Sequence, residues 1–75
     1  MTRTRVVIRN QIRVLRFGHG EMTQQALADR IGVSRQTVNA IEGGKYSPSL
    51  EVAFQVARVF GKRLEDVFQC EVTGG

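Results

Sequence analysis

The chain has 75 residues and a formal net charge of +4, with 41% hydrophobic and 24% charged residues. This is the composition of one small globular domain (1–75) rather than of a disordered segment, and a domain of this size buries only about 60% of its unfolded surface. The positive charge favours a polyanionic partner, and it is concentrated in residues 1–16, which hold five arginines and no acidic residue.

The first seven residues alternate polar and β-branched side chains, which suits a short strand, an ordered arm or the start of a helix. From Ile8 the spacing changes, because Ile8, Ile12 and Leu15 recur at intervals of four and three. This spacing predicts a first helix that begins near Ile8 and ends near Phe17, before two glycines.

The segment 24–43 has the pattern of two short helices joined by a tight turn. Leu27 and Ile31 lie four residues apart on one face of the first helix, and Thr23 before them is a suitable N-cap. Gly32 follows, where the chain can take the positive φ that ends a helix and that other residues adopt at a cost. Ala28 lies where the two helix axes would approach, and its small side chain permits a steep crossing.

The second helix of this pair is expected over about residues 35–42, with Ser34 as its N-cap. Val38 and Ile41, three residues apart, form its inward face. The polar side chains that remain on its outer face are Arg35, Gln36, Thr37 and Asn39. Arg can fork onto the two acceptors of guanine, and Gln or Asn can pair bidentately with adenine, so this face is suited to reading bases in the major groove.

The sequence GGKYSPS after Glu42 indicates a loop. Lys45 and Tyr46 lie in it, beside the exit of the second helix, where a phosphate strand would pass. The ring of Tyr46 could equally pack under the loop. For Arg9 and Arg13, near the N-terminus, phosphate contact and a solvated helix flank both stay open.

A fourth helix is expected between its N-cap Ser49 and Gly61. Its inward stripe is expected to be Leu50, Ala53, Val56, Ala57 and Phe60. A short fifth helix should run from about Leu64 to Phe68. The tail after it alternates apolar and polar residues, which fits a strand or a loose tail.

Apolar residues exceed what so small a core requires. The surplus residues are Val52, Phe54, Val67, Phe68 and Val72. We expect them to form the interface of a two-fold symmetric homodimer, which would bind a pseudo-palindromic DNA site with half-sites about one turn, roughly 34 Å, apart.

At these residues the chain resembles the Cro/C1-type family of helix-turn-helix regulators, through TQQALADRIGVSRQTVNAIEGGKYSPSLEVAFQVARVFG and the preceding NQIRVLR. The resemblance covers about Asn10 to Phe68. It implies an all-α, compact bundle of four or five helices (core 8–68), with short terminal strands as an option. The family binds operator DNA, generally as a dimer, with the second helix of the motif in the major groove.

The resemblance also implies residue roles. By this resemblance Arg35 and Gln36 would read bases, with Asn39 one turn on, and Gln24 and Lys45 would contact phosphates. We expect Thr37 to join the base-reading set, and Thr23, Ser34 and Tyr46 to join the phosphate-contacting set.

Arg16 and Glu42 form a further expected pair. Glu42 ends the second helix of the motif, where a carboxylate is unfavourable unless a cation compensates it. The resemblance implies a partly buried ion pair with Arg16, and the alternative is two independently solvated charges.

The favoured function is therefore transcriptional regulation through sequence-specific binding of double-stranded DNA, with repression expected. The alternative is an antitoxin or protein-interaction adaptor that uses the same fold. One cysteine and one histidine offer neither a metal cluster nor a nucleophile–base pair, so we expect no metal, no cofactor and no catalysis. No membrane span and no small-molecule effector are expected, and the chain looks cytoplasmic.

Overall fold

The computed structural model describes residues 5–73, which contain five helices and two short strands. In chain order the elements are β1 (Arg5–Asn10), α1 (Ile12–Gly18), α2 (Gln24–Ile31), α3 (Arg35–Glu42), α4 (Leu50–Phe60), α5 (Leu64–Val67) and β2 (Phe68–Thr73). The expected helical class and the helix-turn-helix are confirmed, and the short terminal strands that were an option are present as a two-stranded sheet. Residues 1–4, part of the segment left open between strand, arm and helix start, lie outside the described residues.

The core forms where α2 packs against α3 and α4. Leu27 and Ala28 of α2 are fully buried. Val38 and Ile41 of α3 are 2% and 3% exposed, so the inward face of this helix is the predicted one.

The helix ends of the motif form by the predicted capping chemistry. Thr23 Oγ1 accepts a hydrogen bond from the backbone N–H of Ala26, and Ser34 Oγ accepts one from Thr37. Gly32 ends α2 with φ 74°, in the left-handed region that favours glycine. These caps fix where α3 begins.

The first helix begins at Ile12, so the predicted start near Ile8 is wrong. Ile8 belongs to β1, which pairs antiparallel with β2. The physical reason is that the β-branched residues 6–8 pair with a strand in the tail. The spacing of apolar residues within one short segment does not indicate such a distant partner. Asn10, which precedes the N-cap Gln11, accepts the backbone N–H of Ile12 through Oδ1 at the start of the helix.

The tail forms a strand rather than a loose end. It pairs with β1 in a two-stranded antiparallel ribbon. In this ribbon Val6 pairs with Val72, Ile8 with Cys70 and Asn10 with Phe68. Because side chains alternate along a strand, these residues share one face of the ribbon, and all of them except Asn10 are apolar or carry a thiol. The helix α5 ends at Val67, one residue before the predicted end.

Two expectations about apolar residues are wrong. Val67 is fully buried within the single chain, where it packs into the core, so its side chain cannot also contact a second subunit. Leu50 is 68% exposed although it was expected on the inward stripe of α4, because it stands at the first residue of the helix, past the edge of the core.

The other residues of the expected interface differ in exposure. Val52 and Phe68 are half-buried and pack against the core. Phe54 and Val72 are 55% and 65% exposed. Within residues 5–73, none of the helices combines the length and hydropathy that crossing a bilayer requires.

Candidate nucleic-acid interface

The first turns of α3 present polar side chains to solvent. Arg35, Gln36 and Asn39 are exposed, while the inward residues of the same helix are buried. Thr37 is half-buried, and its Oγ1 lies 2.9 Å from Ser34 Oγ. The hydroxyl of Thr37 is thus engaged with the N-cap, whereas the other three side chains can reach a ligand in front of the helix.

An open groove of about 810 Å³ runs between α1, the start of α2 and α3. It brings together five of the nine residues predicted to contact DNA, namely Thr23, Gln24, Arg35, Asn39 and Lys45, and also the predicted pair Arg16 and Glu42. Its charged lining residues are Arg13, Arg16, Arg35 and Lys45, with Glu42 as the one acidic residue. The groove is therefore electropositive, which suits a phosphate backbone.

Four predicted residues do not line this groove. Ser34, Gln36 and Thr37 lie at the start of α3 outside it. Tyr46, 54% exposed, lines a second hollow of about 270 Å³ beside the ribbon, together with Pro48 and Phe68. Tyr46 is therefore separated from the groove that holds Lys45.

Arg16 and Glu42 form a bidentate ion pair. Arg16 Nε donates to Glu42 Oε2 at 3.0 Å, and Arg16 Nη2 donates to Glu42 Oε1 at 2.8 Å. The two side chains are only 8% and 11% exposed. This pair joins α1 to the last residue of α3. It also neutralises the charge of Glu42, the one carboxylate among the residues that line the groove.

The remaining positive charges of the groove are available to a ligand. Arg13, Arg35 and Lys45 make no ion pair with any residue of the described range 5–73. The ring of Phe17, 55% exposed, lies 5.6 Å from Arg13 Cζ and 5.4 Å from Arg16 Cζ, so it supports both guanidinium groups by cation–π contact.

Arg16 also holds the loop between α1 and α2. Its Nη1 donates to the carbonyl of Met22 at 2.8 Å, while its own carbonyl accepts the backbone N–H of Met22 at 2.9 Å. This fixed loop sets the start of α2, where Thr23 and Gln24 lie.

Asn10 is a structural residue of the site that sequence reasoning missed. Its Nδ2 donates to the carbonyls of Ile41 and Glu42 at 3.0 and 3.3 Å, while its Oδ1 accepts from Ile12. One side chain thus satisfies the end of α3 and the start of α1. The available signal was an Asn just before a helix, a typical capping residue.

Gln24 contacts α3 as well as lining the groove. Its Nε2 donates to Asn39 Oδ1 at 3.1 Å and to Glu42 Oε2 at 3.4 Å. The sequence predicted a phosphate contact for Gln24 but did not indicate this link between α2 and α3. Gln24 meets Asn39 and Glu42 only when the motif is folded.

Comparison with known proteins agrees with this geometry. Residues 17–67 match the model of a family described as helix-turn-helix. The chain belongs to the Cro/C1-type helix-turn-helix family. A family of this kind is defined by the two helices that here form α2 and α3.

Several relatives in the family are close in sequence. An uncharacterised helix-turn-helix transcriptional regulator of Methanocaldococcus jannaschii is 49% identical over 61 residues, which is 81% of this chain and 91% of the relative. A similarly described protein of Bacillus subtilis is 42% identical over 64 residues, covering 85% and 96%.

The fold also has a solved counterpart. The crystal structure of a candidate DNA-binding protein from Bacteroides fragilis superposes with a TM-score of 0.72 at 24% identity, covering 84% of this chain and all of that one. At this identity the likeness shows the shared fold.

The described residues hold no group of three or more His, Cys, Asp or Glu side chains that could bind a metal ion.

Proposed function

We propose that this chain regulates transcription by sequence-specific binding of double-stranded DNA, with α3 as the recognition helix in the major groove. The observation that carries the proposal is the exposed polar face of Arg35, Gln36 and Asn39 beside an electropositive groove. Family membership and the names of the relatives support a regulator rather than an enzyme.

Arg35 and Gln36 are the principal base-reading residues of this proposal. They stand at the first two positions of α3, where a side chain reaches furthest into a groove, and they are exposed. Arg35 suits guanine and Gln36 suits adenine. Asn39 reads a neighbouring base pair, and Thr37 has the smallest role because its hydroxyl is already paired with Ser34.

Phosphate contacts come from the edges of the groove. The N-terminus of α2 offers backbone N–H groups and the side chains of Thr23 and Gln24, and the N-terminus of α3 offers Ser34. Lys45 supplies a charge without an ion-pair partner among the described residues. Tyr46 is the residue of this set least suited to contact a phosphate, since it lines the hollow beside the ribbon.

The protein acts as a homodimer on a pseudo-palindromic operator, and its effect is repression through occupancy of that site. Support for the dimer comes from apolar side chains that the single chain leaves exposed: Phe54 and Val72 from the expected set, and Leu50, which lies on α4 with Phe54. Burying such residues against a second copy removes them from water. A regulator of this kind acts in the cytoplasm of a prokaryotic cell.

Selection of bound sites from a pool of random DNA tests this proposal. The expected result is an enriched motif made of two inverted half-sites about one helical turn apart. Enrichment of a single, asymmetric half-site would contradict the dimer. A pool that stays random, from protein shown to be folded, would contradict sequence-specific DNA binding altogether.

A further inference from the structure

The amide of Gln24 joins the buried ion pair to a side chain of the recognition surface. Gln24 is half-buried at the first residue of α2, and its Nε2 lies within hydrogen-bond distance of both Glu42 Oε2 and Asn39 Oδ1. The connected series therefore runs from Arg16 through Glu42 and Gln24 to Asn39.

The donor and acceptor roles in this series are fixed at its buried end. A guanidinium only donates, and an ionised carboxylate only accepts. Because Glu42 receives Arg16 on both of its oxygens and is 11% exposed, the atom of Gln24 that faces it must be the amide nitrogen. An amide oxygen in that place would face a carboxylate oxygen and repel it.

The same logic then orients Asn39. Since Nε2 of Gln24 also points at Asn39, Asn39 must accept through Oδ1. Its Nδ2, with two N–H donors, is directed away from Gln24, and no other residue of the described range 5–73 binds it. Asn39 is exposed, so these donors are available in the groove.

This orientation changes which base Asn39 suits. Bidentate pairing of Asn with adenine needs the amide oxygen at N6 and the amide nitrogen at N7 of one base edge. Because Oδ1 of Asn39 already accepts from Gln24, one of its two lone pairs is occupied, whereas both N–H donors of Nδ2 are free within residues 5–73. These two free donors match guanine, whose major-groove edge carries the two acceptors O6 and N7, whereas adenine also requires an acceptor for its N6 amino group.

We propose that Gln24 is a positioning residue that fixes Asn39 as a hydrogen-bond donor, so that Asn39 selects guanine rather than adenine in the operator. The proposal rests on the proposed function, because it requires α3 to lie in the major groove. It assigns to Gln24 a role in specificity besides any phosphate contact.

The test is binding-site selection from random DNA with the wild-type protein, Asn39→Ala and Gln24→Met. Asn39→Ala identifies the operator position that Asn39 reads, as the one position where preference is lost. We expect guanine there in the wild-type motif. Gln24→Met keeps the length of the side chain and removes its amide, so it should shift the guanine-to-adenine preference at that same position by roughly 5-fold or more.

Gln25→Met is the matched control. Gln25 is the next residue of α2, and its amide donates to Asp29 of the same helix at 2.8 Å, so it has no link to Asn39. This variant should leave the preference at the Asn39 position unchanged. Thermal melting of each variant establishes that the compared proteins are folded.

The outcomes separate this inference from the proposed function. A wild-type motif with adenine at the Asn39 position would overturn the inference alone, and this result does not depend on any Gln24 variant. A folded Gln24→Met variant that binds all sequences more weakly with unchanged preferences would also overturn it, leaving Gln24 as a phosphate contact. The absence of any enriched motif would overturn both.

Discussion

Arg16 and Glu42, 26 positions apart in the chain, meet in a bidentate ion pair whose side chains are 8% and 11% exposed. The pair ties the helix before the motif to the end of the recognition helix. A buried carboxylate that loses its cation is strongly unfavourable, whereas removal of both charges can be tolerated. The stability of α3 therefore depends on a contact with α1.

We expect Arg16→Ala to lower the free energy of unfolding by about 3–5 kcal/mol, because it leaves Glu42 buried and uncompensated. Urea unfolding followed by circular dichroism measures this loss. Arg63→Ala is the control, since Arg63 pairs with Glu65 at the surface with both side chains more than two-thirds exposed, and such a pair contributes about 0–1 kcal/mol.

The double variant Arg16→Met/Glu42→Leu should recover most of the stability that Arg16→Ala loses, since no buried charge remains. A folded Arg16→Ala variant with an unchanged melting temperature but weakened DNA binding would contradict this account. It would make Arg16 a phosphate contact instead.

Asn10 should also stabilise the fold more than its position in a strand suggests. Asn10→Ala leaves the carbonyls of Ile41 and Glu42 and the N–H of Ile12 without their partner, and we expect a cost of about 1–2 kcal/mol. Asn10→Asp keeps the acceptor for Ile12 but places a negative charge at the C-terminus of α3, so it should not restore stability. Chemical denaturation of both variants measures these losses of stability. Wild-type stability of Asn10→Asp would contradict the role of the Asn10 amide at the end of α3.

Local signals predicted the motif well because its chemistry is local. Thr23, Ser34 and Gly32 act within three or four residues of their own positions, so their roles can be read from spacing. The start of the first helix was wrong for the opposite reason. Ile8 pairs with Cys70, 62 residues later, and nothing near Ile8 indicates that partner.

The interior of the site shows the same division. The outward face of α3 follows from its helical period, whereas the series from Glu42 through Gln24 to Asn39 joins side chains 15 and 18 residues apart in the chain. Val67 misled because an apolar residue in a four-residue helix fits a core and an interface equally well. Only the packing of the whole domain distinguishes these two environments.

The burial of Val67 in the core can be tested by comparing its substitution with that of an exposed valine. Val67→Ala should destabilise the fold by about 2 kcal/mol, because it removes buried methyl groups and leaves a cavity. Val14→Ala, at a residue that is 66% exposed and lies outside the expected interface, should change stability by less than about 0.5 kcal/mol. Equal losses in denaturant melts would contradict the burial of Val67.

The dimer is tested at the two exposed residues of the expected interface. We expect Phe54→Asp/Val72→Asp to sediment as a monomer and to bind a full operator more weakly, because two charges would be buried at the contact. Val14→Asp is the matched control, since Val14 is 66% exposed on α1 outside the expected interface. Analytical ultracentrifugation at high micromolar concentration that shows a wild-type monomer would contradict the dimer.

The central claim, that α3 reads bases while residues at the groove edge hold the backbone, is tested most directly by measuring Arg35→Ala and Lys45→Ala on the selected operator and on unrelated DNA. Arg35→Ala should cost about 1–3 kcal/mol on the operator and little on unrelated DNA. Lys45→Ala should weaken both and reduce the slope of log affinity against log salt by about one. Equal losses on both DNAs for a folded Arg35→Ala variant would contradict the claim.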